Sequence, residues 1–458
     1  MLRCRCLYFV VITIVLSGCA SYYTKNLQLN QSIETGQFEA ANKLLEKDTK
    51  TPTNRNRLLY FLNRGYVSWM LNNHRQSVNF LNTAENIIDD HSLQLGDEAL
   101  TLITNPMMKP YRAEDFEVVM VNCFKAINFM QIDEYEAAMV ECRRINIKLN
   151  QLNDKYTSHK NRYQRDAFAL TMMGLLYDAN GDYNNAFIAY RNALETYETD
   201  YAQNFNIHTP LQLKLDILRT AHAIGFGTEL DFYERKFGIK YTPAQKPEAE
   251  MLFFWMNGFG PVKDEWSINF TVVRGTGGIV TFVNEGEGLS FPFPLPSSSE
   301  SDGFSDLKLV RVAFPKYVER KPNSVSASIT SGSASYPLET AQDINAIALK
   351  TLNDRFMREM ASSLLRVATK QALEELTRSK DKNAGAIMSI VNAVTEKADT
   401  RNWQSLPHGI SYARIPLNSG SNQLKLNVKM NDGKTVTNDV TVEAKQGKTY
   451  FHAHHTLK

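Results

Sequence analysis

One segment, residues 167–197, constrains the fold more than any other part of the chain. Small residues and tyrosines follow one another there at spacings of three and four, on both sides of a central Gly181-Asp182. Residues three and four apart share one face of a helix. Two antiparallel helices could therefore approach closely at the small residues, while the tyrosines fill the remaining space. The pattern predicts a helical hairpin, with these packing residues: Gly174, Tyr177, Ala186, Tyr190 and Ala193.

Weaker copies of this pattern precede the segment. One turns at Asn72-Asn73, another turns near Asp133, and a partial copy covers residues 36–45. The pattern resembles the tetratricopeptide repeat, although the copies are spaced unevenly rather than at a constant 34 residues. The resemblance implies an array of helical hairpins over residues 19–240, with extra segments between the hairpins.

The chain changes character after Gly225, and residues 240–247 have the composition of a linker. Residues 248–458 contain β-rich runs, a hairpin turn at Asn431-Asp432-Gly433, a weaker turn at Gln446-Gly447, and a helical pattern at about 341–377. The β-rich runs cover residues 266–273, 278–283, 307–314, 324–329, 410–417, 423–430, 435–442 and 450–454. A further helix is expected at 385–398. The predicted fold class is α + (α+β), with a tetratricopeptide-like helical-hairpin array followed by a β-rich α+β domain.

The stretch at residues 288–296 places three prolines among Phe291, Phe293 and Leu295. Proline is excluded from the interior of a sheet, so the stretch is predicted to be a loop. It either folds back over the core of its own domain or exposes an apolar tip to a partner or a membrane surface. Burial of the phenylalanines distinguishes these alternatives.

The start of the chain has the features of a secretory signal. Arg3 and Arg5 precede an apolar run at residues 7–16, which is too short to span a membrane. The run ends in Leu16-Ser17-Gly18-Cys19, which resembles the bacterial lipobox. The resemblance implies cleavage between Gly18 and Cys19, removal of residues 1–18, and acylation of Cys19. Because Ala20 and Ser21 follow rather than Asp, the family's sorting rule implies a periplasm-facing protein anchored by lipid in the outer membrane.

Charge argues against nucleic acid as a partner. The chain has 51 basic and 49 acidic residues, and two of the basic ones lie in the predicted signal. The mature chain would therefore be close to neutral, whereas phosphate binding depends on concentrated Lys and Arg. The expected partners are a membrane, through the lipid, and an envelope protein. A small-molecule ligand is not expected.

Two cysteines remain after Cys19 and the signal are set aside. Cys123 and Cys142 lie nine to ten residues on either side of the turn near Asp133, so they would face each other in an antiparallel hairpin. In an oxidising compartment they could form a disulfide that contributes roughly 3 kcal/mol. The alternative is a pair of buried free thiols, and the sequence does not choose between the two.

The residues that could carry chemistry form no recognisable catalytic group. His452, His454 and His455 lack further ligands at a diagnostic spacing, so a solvated terminal strand is favoured over a metal site. Three acidic residues, Glu117, Glu134 and Glu141, are predicted on solvated helical faces. The Gly-rich stretch at 275–278 is interpreted as a turn. No catalytic residue, metal or cofactor is predicted.

The whole layout is similar to a family of poorly characterised bacterial lipoproteins that join a tetratricopeptide-like half to an α+β half. The similarity rests on the lipobox and on residues 258–263, 311–317 and 399–407. Members of the family are often encoded beside lipoprotein activators of peptidoglycan synthases, which implies a role in the cell envelope. The predicted function is a non-catalytic scaffold for protein–protein interaction, linked to peptidoglycan synthesis. The alternative is an envelope enzyme or ligand-binding protein with a site in the C-terminal domain.

Overall fold

The structure is a computed structural model that describes residues 26–93, 106–154, 163–243, 247–274, 279–294, 309–380 and 398–457. Helices precede residue 238 and strands follow residue 248, so the predicted order of a helical half and a β-rich half is correct. The predicted signal, Gly18 and Cys19, the turn at 275–278 and most of the helix expected at 385–398 lie outside the described residues. Among the helices that are described, none is long and apolar enough to cross a membrane.

The helical half is built from antiparallel pairs. Its first helix, α1, covers residues 26–34. The others are α2 Phe38–Lys47, α3 Arg57–Met70, α4 His74–Leu93, α5 Asp115–Gln131, α6 Tyr135–Asp154, α7 Ala167–Ala179, α8 Tyr183–Thr196, α9 Ala202–Phe205, α10 Leu211–Ala223 and α11 Gly227–Phe237. A π-helical turn, Tyr197–Tyr201, joins α8 to α9.

Each hairpin turns at a residue with positive φ, the conformation that ends many helices. These residues are Gly36, Asn72, Asp133, Gly181 and Gly225. The last of them joins α10 to α11, and α11 is not among the helices that the sequence predicts. The hairpin is the unit that the tetratricopeptide resemblance implies.

Close packing within the hairpins depends on glycine. A Cβ atom at Gly174 would lie 2.3 Å from the ring of Tyr190, and one at Gly65 would lie 2.6 Å from Leu81. Tyr190 is fully buried and donates a 3.0 Å hydrogen bond to Asp178. Ala186 and Ala193 are also fully buried, while Tyr177 is partly buried against the core.

The described residues of the β-rich half form two sheets and one long helix. The strands are β1 Ala249–Asn257, β2 Val262–Arg274, β3 Ile279–Asn284, β4 Leu289–Pro294, β5 Leu309–Val318, β6 Ser324–Ser331, β7 Ala334–Asp343, β8 Gly409–Leu417, β9 Gly420–Met430, β10 Thr435–Ala444 and β11 Thr449–Thr456. One sheet has the order β10-β9-β6-β7-β8-β1-β11 and the other β4-β3-β2-β5. The long helix α12, Ile344–Lys380, covers most of the predicted helical pattern and begins directly after Asp343, whose carboxylate accepts a 2.8 Å hydrogen bond from the Ala346 amide.

The seven-stranded sheet curves into a half-barrel whose concave side encloses its own core. Met251, Phe253, Ile415 and Leu426 belong to this core. All neighbouring strands are antiparallel except β1 and β11, which run parallel. The turn at Gln446-Gly447 therefore does not form the predicted hairpin, because β10 and β11 lie at opposite edges of the sheet.

The predicted loop at 288–296 is wrong for its described part, which is the edge strand β4. An edge strand tolerates proline because its outer N–H groups need no partner. Phe291 packs 6.2 Å from Phe270, and Phe293 packs 5.8 Å from Phe282, between ring centroids. These rings therefore cover the core of the small sheet, on which Met360 and Leu364 of α12 also pack. Leu295 and Pro296 lie outside the described residues.

The two halves share one hydrophobic core. It combines residues of the hairpin helices with Phe254, Tyr412 and Phe451 from the convex face of the half-barrel. Phe168 lies 5.8 Å from Phe254 between ring centroids. The helical array is thus packed directly on the sheet.

Candidate functional site

Three sequence stretches without recognisable chemistry, 258–263, 311–317 and 399–407, meet at the start of α5. Asn402 joins two of them, because its amide donates to the Pro261 carbonyl at 2.8 Å and accepts from the Lys263 amide at 3.2 Å. Trp403 is buried against Phe124 of α5, with ring centroids 5.7 Å apart. This region between α5, β2, β5, α12 and residues 399–407 is called the junction below.

Glu114, the residue before α5, is the charged centre of the junction. Its two carboxylate oxygens form ion pairs with Lys263 of β2 and Arg355 of α12. Burial alone would raise the pKa of Glu114, but the two cations lower it to about 2. The carboxylate is therefore ionised and joins three elements that are far apart in the chain.

Glu117, one turn later, is fully buried, and its pKa is shifted in the opposite direction to that of Glu114. It accepts hydrogen bonds from the Trp403 amide at 2.6 Å, from the Glu114 amide at 2.9 Å, and from the Tyr111 hydroxyl. Burial and the nearby charge of Glu114 raise its pKa to about 7. Its protonation therefore changes near neutral pH.

Arg401 fastens the C-terminal side of the junction to the loops before α3 and α5. Its guanidinium donates to the Asn56 side chain at 2.9 Å and to the carbonyls of Lys109 and Pro106 at 3.1 and 3.2 Å. It also pairs with Asp399 at 2.6 Å. Because a guanidinium has five donors in a fixed plane, it can hold several loops at once.

A second buried ion network joins the later hairpins to the half-barrel. Arg414 of β8 binds Asp178 of α7 at 2.7 Å and Asp216 of α10 at 2.9 Å, and it also pairs with Glu250 of β1. Arg219 adds a second cation beside Asp178. Because Asp178 and Asp216 are almost completely buried, loss of Arg414 would leave two buried carboxylates with Arg219 as their remaining cation.

These contacts cover one whole surface of the helical array, formed by α3, α5, α7 and α10, the first helices of successive hairpins. We call it the inner surface. Tyr66 of α3 hydrogen-bonds His455, Phe124 of α5 meets Trp403, and Asp216 of α10 meets Arg414. The inner surface is therefore not available to a partner in this conformation.

The prediction that three acidic residues lie on solvated faces is wrong for two of them. Glu117 is 0% exposed and Glu141 is 5% exposed. Glu141 pairs at 2.9 Å with Lys125, which is itself fully buried. Glu134 remains partly exposed and pairs with Arg75 at the surface.

The prediction of a solvated terminal strand is also wrong, because β11 is paired with β1 inside the fold. His455 is 5% exposed; its Nε2 donates to the Gly258 carbonyl at 2.6 Å, so its Nδ1 accepts from Tyr66 at 2.8 Å. His452 and His454 point to the other face, as Phe253 and Trp255 beside them do. Across the part of the chain that is described, no three His, Cys, Asp or Glu side chains gather as a metal site.

An open cleft of about 530 Å³ separates the two edges of the half-barrel. It is lined by residues 437–441 of β10 and by His452 and His454 of β11. Burial lowers the pKa of both imidazoles, and the pKa of His452 falls to about 4. Both rings are therefore neutral at neutral pH. Asp439 is the one carboxylate among the residues that line the cleft.

A smaller cavity of about 170 Å³ lies between α1, α2 and α3. Leu29, Leu45 and Tyr60 are among its lining residues. Ligand pockets usually measure about 300–1,000 Å³, so this cavity is below the size of a small-molecule site.

The structure places Cys123 and Cys142 in the core as buried free thiols rather than as a disulfide. Burial raises the pKa of both groups. A thiol with a raised pKa is a weak nucleophile, so neither residue has the character of a reactive cysteine.

Sequence reasoning missed the charged residues of the junction, namely Glu114, Lys263, Arg355 and Arg401. A partial signal was present, since Lys263 and Arg401 belong to the stretches that suggested the family. For Arg355, on a helix with charges along its length, the sequence offers no comparable signal.

Searches of protein families and of curated proteins find no match. Among solved structures, MamA is 17% identical with a TM-score of 0.29 over 45% of this chain and 91% of MamA. The apo form of RapI is 16% identical with a TM-score of 0.34 over 47% of this chain and 68% of RapI. A putative Podospora anserina kinesin light chain with nearly identical TPR-like repeats is 14% identical, with a TM-score of 0.31 over 47% of this chain and 92% of that one. Similarity this low supports no argument about function, which therefore rests on this chain's own residues.

Proposed function

We propose that the protein is a lipid-anchored scaffold of the bacterial outer membrane that binds another envelope protein and catalyses no reaction. The observation that supports this most directly is the fusion of the two halves through one core and two buried ion networks. A partner therefore meets the two halves as one packed body. Such a body is suited to holding other proteins in place.

The use of the buried charged groups agrees with a non-catalytic role. Glu114 is saturated by two cations, and Glu117 by three hydrogen-bond donors. A general acid or base must reach its substrate. The carboxylates of the junction instead contact other parts of the fold.

The anchor would keep the body close to the membrane. Asn26 follows Cys19 by seven positions, and an extended chain spans at most about 3.3–3.6 Å per residue, so α1 would lie within about 25 Å of the lipid surface. α1 is itself fixed to the body, since Asn30 donates to Gln404 at 2.7 Å and Glu34 pairs with Arg320 at 2.8 Å. The partner is therefore a membrane-proximal protein, and peptidoglycan synthesis is the process to which the family resemblance points.

Replacement of the acylated residue tests the anchor. We expect Cys19→Ser to remain unprocessed, to incorporate no labelled palmitate and to be lost from the outer membrane. Cys123→Ala, which removes a buried thiol, is the matched control and should be processed, labelled and localised like the wild type. A Cys19→Ser protein that is still processed and still on the outer membrane would contradict the anchor.

Recovery of a partner tests the scaffold. The protein is isolated from chemically crosslinked envelopes and the attached proteins are identified by mass spectrometry. We expect the same envelope protein in independent preparations. Preparations that share no partner would count against the scaffold, whatever the result for Cys19.

A further inference from the structure

The two edges of the half-barrel are consecutive strands that do not pair with each other. β10 pairs only with β9 and β11 only with β1 among the described strands, although residues 445–448 alone connect β10 to β11. The end of β10 at Ala444 and the start of β11 at Thr449 therefore lie side by side, and the two strands diverge from that point. The cleft is the space between them.

The cleft exposes the backbone of β10. Five consecutive residues, 437–441, line it. Successive side chains of a strand point to opposite faces, so a surface lined by consecutive residues is the edge of the strand. An edge carries alternating unpaired N–H and C=O groups, which are a template for another extended chain.

This edge carries two acidic residues, Asp439 and Glu443, but lacks the other devices that usually prevent pairing. Many proteins protect an edge with lysine, proline or a bulge. β10 contains no lysine and no proline, it pairs with β9 without a register shift, and it is rich in valine and threonine. The cleft, at about 530 Å³, also falls within the usual size of binding pockets.

We propose that an extended segment of the envelope partner inserts between β10 and β11 and adds a strand to the half-barrel, antiparallel to β10. This inference rests on the proposed scaffold function and states how the partner is recognised. Each of the five strand pairs from β10 to β1 is antiparallel, and β1 is parallel to β11. β10 and β11 therefore run in opposite directions. A strand antiparallel to β10 would therefore be parallel to β11, as β1 is.

The lining residues specify the side chains of this segment. Asn438 and Val440 face the concave side together with His452 and His454, whose rings are neutral, so inward positions of the partner should be uncharged. Outward, Lys425 of β9 lies opposite Asp439 but forms no ion pair with it among the described residues. A basic residue on the added strand would continue the alternation of charge across the sheet.

The first experiment locates the contact in the native envelope. A photoreactive benzoylphenylalanine replaces Thr441 in the cleft or, separately, Ile188 on the exposed face of α8. We expect the Thr441 probe to crosslink to one short segment of a partner protein. Crosslinks from Ile188 alone would overturn the strand proposal and leave the scaffold intact, whereas no crosslink from either position would count against both. A crosslink from Thr441 to a second copy of this chain would also overturn it.

The second experiment uses the segment identified in this way as a synthetic peptide. Asp439→Lys should weaken its binding about 2- to 30-fold, since an attractive cross-strand pair becomes repulsive. Glu443→Lys, on the same face of β10 but outside the cleft, is the matched control and should not weaken binding. N-methylation of alternate peptide amides should weaken binding in either register, because one set of N–H groups faces β10 and the other faces β11. Tolerance of N-methylation in both registers would refute strand addition.

Discussion

The carboxyl of Glu117 should make the stability of this protein fall as the pH rises through neutrality. Burial and the charge of Glu114 raise its pKa to about 7 in the folded chain, from about 4.5 when unfolded. Between these values the folded state holds a proton that the unfolded state has released. Stability from this group is therefore fully present below pH 4.5 and is lost as the pH rises through 7. A difference of this size corresponds to about 3 kcal/mol.

Comparison with Glu117→Gln isolates this contribution, because glutamine does not titrate. Urea unfolding, followed by tryptophan fluorescence, gives the free energy of unfolding of both proteins at pH 5, 6, 7 and 8. The wild type should lose about 2–3 kcal/mol relative to the variant across this range. The amide cannot reproduce both accepting oxygens, but that cost does not depend on pH and cancels in the comparison.

Glu114→Gln tests the same environment through the neighbouring charge. The pKa of Glu114 is lowered to about 2 by its cations against the effect of burial, so its own ionisation does not change from pH 5 to 8. Its charge helps to raise the pKa of Glu117, so this variant should lose less stability than the wild type across that range. A flat difference between the wild type and Glu117→Gln would refute the assigned environment of Glu117.

Two further predictions concern packing and charge, and both are measured by urea unfolding at pH 7. Gly174→Ala should destabilise the fold by about 1–3 kcal/mol, because the new methyl group overlaps the buried ring of Tyr190. Gly227→Ala, where the methyl group meets open space at the start of a helix, should be neutral or slightly stabilising. Arg414→Met should cost about 3–5 kcal/mol, because two buried carboxylates would then share one cation, Arg219, and one negative charge would be uncompensated. Lys434→Met, which removes an exposed ion pair, should change stability by less than about 1 kcal/mol, and equal losses from the two would refute the role of the buried network.

The parts of the fold that the sequence predicts are those whose signals are local. The Gly174 hairpin is recognisable because its small and large residues lie within one turn of each other, and β9 and β10 because Asn431-Asp432-Gly433 forms the turn between them. α11 escapes prediction because charged residues interrupt its apolar spacing. The available sequence signal was Gly225 itself, which adopts positive φ in the structure as Gly181 does.

The junction could not be predicted because its partners are distant in sequence. Glu117 accepts a hydrogen bond from an amide 286 residues later, and Glu114 pairs with Arg355 across 241 residues. An acidic residue near the start of a helix is usually solvated, and helix periodicity carries no information about what covers it. The position of β11 could not be predicted for the same reason, because its parallel partner β1 lies almost the whole second half of the chain away.

The burial of the inner surface decides where a partner can bind. Separating the helical array from the half-barrel would expose five large aromatic side chains: Tyr66, Phe124, Phe168, Phe254 and Trp403. At about 1.5–3 kcal/mol each, their exposure alone would cost roughly 10 kcal/mol, before any buried ion pair is broken. A partner with micromolar affinity supplies only about 8 kcal/mol. Such a partner therefore binds the closed body, and among the described residues the surfaces open to it include the second helices of the hairpins and the edge of β10.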